Sequence, residues 1–79
     1  MIAKDRLKAV KKRLKTYDNR WAFTLAERLW PDVPYAYFRI YDVFNYKTHD
    51  PKRVVVVYKE AVKFIKEKEL ELKKIMEKY

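Results

Sequence analysis

His49 and Asp50 form the one imidazole–carboxylate pair that neighbours in sequence, because the chain holds a single His. A nucleophile to work with them is missing. There is no Cys and no Ser, and without Gly a tight turn that offers backbone N–H groups to an oxyanion loses its usual residue. Only Thr, Tyr or Lys would remain, so we expect no enzyme, and His49 reads as a surface loop residue. One His without Cys builds no metal site, and a chain without Gly has neither a P-loop nor a dinucleotide-binding turn. No metal, no cofactor and no small-molecule substrate are expected.

The chemistry available in quantity is cationic. Twenty Lys and Arg against eleven Asp and Glu give a net charge of +9, an imbalance suited to a polyanion or an anionic surface. Its distribution is uneven. Residues 1–15 hold Lys4, Arg6, Lys8, Lys11, Lys12, Arg13 and Lys15 against Asp5 alone, whereas residues 16–53 and 54–79 are close to balanced.

The 79 residues make a single domain, with 49% hydrophobic residues and 13 aromatics to build its core. Ala3, Leu7, Val10, Leu14 and Tyr17 recur at helical spacing and predict a first helix over about residues 3–15. Its other positions are nearly all cationic, which suits either solvation or contact with phosphates. Thr16, Asp18 and Asn19 offer cap chemistry for a second helix, in which Trp21, Leu25 and Leu29 align with Ala22 and Ala26. That helix should stop near Trp30, before Pro31. Pro31 and Pro34 stiffen a connector over 30–34. In the segment Tyr35 to Tyr46, Val33, Ala36, Tyr37, Ile40, Val43 and Phe44 keep helical spacing despite high β propensity, and a helix is expected. Asp50-Pro51 is a start signal, an N-cap followed by Pro at the first helical position, for a fourth helix from Pro51 to about Lys78. Within it Val54-Val55-Val56-Val57-Tyr58 has local strand character, but the apolar pattern continues helically through Ala61, Val62 and Ile65. It resumes at Leu72, Ile75, Met76 and Tyr79. The stretch Lys66 to Glu71 is highly charged, so the helix should project from the domain there. The expected fold is all-α, four helices with a long C-terminal one. A homodimer is expected in which the distal apolar residues pair.

Leu25-Ala26-Glu27-Arg28-Leu29 followed, after the connector, by Ile40-Tyr41-Asp42-Val43-Phe44-Asn45-Tyr46-Lys47 resembles a helix-turn-helix of the phage-repressor and Cro-like type. The chain is most similar to small helix-turn-helix proteins of bacterial mobile elements and prophages, especially in Bacteroidetes. There an Ile/Val-x-x-Val-Leu-Asn-Gly-Lys segment precedes a loop and a long charged helix. The resemblance covers about residues 7–70. The chain departs from the pattern at Trp30, where the family commonly has Gly, in a longer connector with two prolines, and at Tyr46, where Asn-Gly-Lys becomes Asn-Tyr-Lys. Asn45 is therefore expected to take the left-handed conformation.

The resemblance implies sequence-specific duplex DNA binding by a transcriptional regulator, with Tyr35 to Asn45 entering the major groove. Base contacts would then come from Tyr35, Phe38, Arg39, Tyr41, Asp42 and Asn45. Arg39 can pair with guanine, Asn45 with adenine, and Asp42 can accept from cytosine. An alternative for Arg39 is a salt bridge to Asp42 or simple solvation, and for Tyr35 and Tyr41 packing into the core. Lys11, Lys12 and Lys15 of the first helix are phosphate candidates. So are Lys47, Thr48, His49, Lys52 and Arg53, which surround the start of the fourth helix, where backbone N–H groups also suit an anion. Two other readings stand beside duplex DNA: a helical protein–protein interaction module without a nucleic-acid role, and RNA binding through exposed Tyr and Phe. No apolar run is long enough to span a bilayer, the apolar stripe of residues 3–15 is too narrow for membrane attachment, and without Cys or an apolar leader a cytoplasmic protein is expected.

Overall fold

The computed structural model describes residues 2–78, and every regular element in that span is a helix: α1 (Lys4–Tyr17), α2 (Trp21–Leu29), α3 (Tyr37–Phe44) and α4 (Pro51–Glu77). The long last element begins where the sequence signals it. The Asp50 carboxylate accepts from the backbone N–H groups of Lys52 and Arg53 at 3.0 and 3.4 Å, and Pro51 occupies the first turn. Once that start is fixed, the helix carries the Val run through. Val57 is completely buried against the core while Val55 and Val56 face outward, a burial that outweighs a propensity cost of a few tenths of a kcal/mol per Val.

At its other boundaries the chain solves the termini differently from expectation. α1 runs on to Tyr17, and Thr16 donates its hydroxyl to the Lys12 carbonyl at 3.1 Å instead of capping α2. No side chain caps α2 at its N-cap, Arg20, and Asp18 braces the approach instead. One carboxylate oxygen accepts from the Arg20 N–H and the other from the Thr24 hydroxyl, both at 2.8 Å, and its carbonyl accepts from the Trp21 N–H. α2 ends at Leu29, ahead of Pro31, with the Trp30 N–H still bonded to the Ala26 carbonyl at 2.8 Å.

Two corrections concern α3. Its helix begins at Tyr37, not Tyr35. Tyr35 has φ 58°, in the left-handed region, because the two prolines lock the connector and the reversal into α3 falls on the residue after Pro34. The left-handed residue at the other end is Tyr46 (φ 62°), whereas Asn45 has φ −99°. The N–H of Lys47 bonds to the Asp42 carbonyl at 2.8 Å and that of Tyr46 to Val43 at 3.3 Å, the paired bonds of a Schellman ending. Tyr46 stands where the resembled pattern has Gly, and its side chain offsets the strain. The hydroxyl donates to the Lys4 carbonyl at 3.2 Å and the Lys4 ammonium sits 5.2 Å from the ring centre.

The core lies where all four helices meet. α1 contributes Leu7, Val10 and Leu14; α2 contributes Trp21, Ala22, Leu25 and Ala26; α3 contributes Ile40, Val43 and Phe44; α4 contributes Val57, Ala61, Phe64 and Ile65, with Ala36 of the connector beside them. Ala26 keeps α2 close to α3, and Trp21 fills the space between by edge-on contacts with Phe44 and Tyr41 at 5.3 and 5.5 Å. No polar side chain is buried among the described residues. The buried face of α4 ends at Ile65. Beyond it Arg13 pairs with Glu69, while Arg28, lying over Phe64, bridges Glu60 at 3.6 Å before that point and Glu67 at 2.8 Å after it. From Glu69 to Lys78 every residue is exposed, Leu72, Ile75 and Met76 among them, although Leu72 and Met76 border a shallow groove with Tyr17 of α1. Tyr79, expected on the same stripe, lies outside the described residues.

Candidate nucleic-acid interface

α3 spans only two turns, and three of its residues, Ile40, Val43 and Phe44, are fixed inward by burial. At about 100° per residue, the face directly opposite carries Phe38, Asp42 and Asn45 at i, i+4, i+7. Phe38 and Asn45 are exposed and Asp42 is half-buried. The other sequence-predicted base contacts sit elsewhere. Arg39 is half-buried on one flank with its guanidinium over the Trp30 ring, 5.1 Å from the centroid. Among the described residues it makes no ion pair with Asp42. Tyr41, on the other flank, leans edge-on against Trp21 and is half-buried. Tyr35 precedes the helix and is 71% exposed.

Around this face the cations fall into two groups. On α1, Lys4, Lys8, Lys11, Lys12 and Lys15 project within a sector of roughly 100°. That sector borders the C-terminal end of α3, since Lys11 Nζ donates to Asn45 Oδ1 at 3.4 Å and Lys4 touches Tyr46. Among the described residues none of the five is in an ion pair, while Arg13, on the opposite side of the helix, is taken up by Glu69. The second group is the α3–α4 loop with the first turn of α4. Lys47, His49 and Lys52 are exposed, and Thr48 and Arg53 are half-buried. The first-turn N–H groups of Lys52 and Arg53 are already engaged by Asp50, which leaves side chains, not backbone, to meet a phosphate there. The Thr48 hydroxyl is drawn into the same cap, accepting from the Asp50 N–H at 3.3 Å. Thr48 and His49 line a groove of about 470 Å³ with Lys4, Tyr46 and the apolar side chains of Ile2, Leu7 and Val54.

The structure therefore brings Lys11 to Asn45, and sets Lys4 near the α3–α4 loop through Tyr46. Lys4 and Lys8 join that face beside the expected Lys11, Lys12 and Lys15. Their i, i+4, i+7, i+11 spacing with Lys11 and Lys15 is a readable signal that they share its face. A second addition is aromatic. Phe23 of α2 packs against Tyr37 with centroids 4.4 Å apart, and Tyr37 packs in turn against Phe38 at 4.5 Å, so an aromatic surface continues from α3 onto α2. Compared with known proteins, the chain matches no family model, no curated protein and no solved structure. The helix-turn-helix resemblance rests on the residues quoted for it. No helix among the described residues is long and apolar enough to cross a membrane.

Proposed function

We propose that the protein binds duplex DNA, with α2 and α3 as its helix-turn-helix, as a transcriptional regulator of the kind found on bacterial mobile elements and prophages. The observation that carries this reading is the sector of five lysines on α1, free of ion pairs among the described residues and hydrogen-bonded at Lys11 to the outer face of α3. A face that served only solubility would mix signs. Here the cations converge beside the one short helix whose outer residues include an amide and a carboxylate suited to base edges. In this arrangement Lys4, Lys8, Lys11, Lys12 and Lys15 hold one run of backbone phosphates, Lys47, Lys52 and Arg53 another, and the Phe38–Asp42–Asn45 face with Arg39 lies in the major groove between them. The Arg39 guanidinium, 5.1 Å from the Trp30 ring centre, has donors suited to bidentate pairing with guanine. Such a role goes with a cytoplasmic location.

Selection of bound duplexes from a random pool, followed by titration across salt, tests the reading. Binding should weaken with log K changing by about −0.9 per phosphate neutralised, and Lys8→Gln should lower that slope by about one unit. Arg39→Ala should relax preference at a single base pair at a cost of about 1–3 kcal/mol, whereas Lys52→Ala should weaken all sequences alike. Absence of duplex binding at low salt, or binding indifferent to salt, refutes it.

A further inference from the structure

α4 carries both signs of charge in its sequence, yet the two occupy different faces. Glu60 and Glu67 pair with Arg28 of α2, Glu69 with Arg13 of α1, and Glu71 with Lys68. Those carboxylates are therefore spent along the flanks of the helix. The lysines are not. Lys52, Lys59, Lys66 and Lys73 recur at every seventh residue, and such spacing makes a nearly straight row about 31 Å long. Lys63 stands beside the row. All five are exposed, and among the described residues none is in an ion pair. Between Lys52 and Lys73 the sector of roughly 100° that holds them contains Val55, Val62 and Leu70 but no carboxylate.

The packing sets the direction of this face. Val57, Ala61, Phe64 and Ile65 fix the opposite side of α4 in the core, and α3 turns Ile40, Val43 and Phe44 into the same core. The outer faces of α3 and α4 therefore look away from one another across the molecule. Lys52, at the α3 end of the row, belongs with the loop cations described above. Lys59, Lys63, Lys66 and Lys73 lead away from them. Leu72 and Ile75 lie more than about 90° around the helix from the row, so pairing them with a second copy leaves the lysines open.

We propose that the outer face of α4 is a second, sequence-independent site for the phosphate backbone of duplex DNA, so that one molecule links two duplexes. The proposal rests on the duplex reading above and adds a second duplex to it. The occupant follows from the composition of the face. Ammonium groups are point charges, and a row of them without amide, carboxylate or guanidinium groups between holds phosphates and reads no bases. A face that served only solubility would mix signs, and here the negative ones are withdrawn to the flanks. An acidic partner helix would need an apolar seam beside the lysines. Val55 and Val62 begin one at seven-residue spacing, but Glu69 takes its next place and Leu70 falls on the other side of the row.

The test uses the full chain. An immobilised duplex carrying the preferred site is loaded with protein and then offered a second, fluorescent duplex of unrelated sequence. The protein should capture it at low salt. Combining Lys59→Gln, Lys63→Gln, Lys66→Gln and Lys73→Gln should lower that capture by about tenfold or more, with loading on the first duplex, helical content by circular dichroism and sedimenting mass all unchanged. Lys63→Gln alone should reduce the salt slope of capture by about 0.9. Loading without capture by the unaltered chain overturns the second site and leaves the duplex reading standing. Undiminished capture by the fourfold variant overturns it too, because the link then comes from paired copies. A changed mass with unchanged capture makes the face a protein contact, with the same consequence. If the fourfold variant instead fails to load while Lys8→Gln loads normally, α4 is the sole site, and both the bridge and the α3 reading fall.

Discussion

Two tyrosines sit at positive φ in a chain without glycine, and their different surroundings give them different energetic consequences. At Tyr46 the left-handed backbone costs on the order of 1 kcal/mol, and the bond to the Lys4 carbonyl with the ammonium over the ring returns a comparable amount. At Tyr35 no hydrogen bond offsets the cost, and the exposed ring only rests near Tyr37 and Phe38, at 6.3 and 6.4 Å. Tyr35→Asn should therefore raise stability by about 0.5–1 kcal/mol, and Tyr46→Asn should change it by less than about 0.5 kcal/mol, both read from urea unfolding at constant m. Equal gains at the two sites would show that the Tyr46 contacts contribute nothing. Neither position is marked locally, because Tyr has no preference for the left-handed region. Asn45 was the natural residue for it by type. What places the turn one residue later is a hydrogen bond to a residue 42 positions away, and no local pattern reports that. The lysine sector of α1 is the opposite case, since its spacing is written in fifteen consecutive residues. The place of Phe23, and of Arg20 just before α2, beside α3 comes from the way the two helices pack, which no local pattern reports.

At the scale of elements, the clear signals were those that combine a backbone constraint with a burial pattern. Asp50-Pro51 fixed the start of α4, Pro31 the end of α2, and the inward stripe of α3 reappears in the structure as Ile40, Val43 and Phe44 with Ala36. The Val run was ambiguous by propensity and was decided by the cap before it. Asp50→Ala should cost about 1 kcal/mol, the usual worth of such a cap, and loosen the first turn of α4 as read by amide hydrogen exchange at Lys52 and Arg53. Undisturbed exchange at those two amides would mean that Pro51 holds the start without help. Less legible was the division of labour among Thr16, Asp18 and Asn19. All three are good cap residues, and the outcome depended on α1 running two residues further, which turned Thr16 back onto its own helix.

For the whole molecule, α4 is the controlling length: 27 residues, about 40 Å, of which the part beyond Ile65 has no buried residue. Leu72, Ile75 and Met76 continue the same stripe that Val57, Ala61 and Ile65 bury, and they are 48, 54 and 76% exposed. Pairing this overhang with that of a second copy would cover the patch and hold two α3 helices together on one DNA site. Removing residues 70–79 should convert a dimer to a monomer in sedimentation, with the helical bundle intact by circular dichroism. An unchanged mass would move the contact to the aromatic end of α3. With no polar group in the core, the lengthwise registry of α4 against α1 and α2 is specified by shape and by the surface pairs of Arg13 with Glu69 and Arg28 with Glu67 and Glu60. Exposed pairs of this kind are worth about 0.2–1 kcal/mol and are screened by salt. The ions that displace the protein from phosphates therefore also loosen the latch that keeps α4 in place. A binding slope reports phosphate contacts only over the salt range in which the tilt of that long helix stays constant.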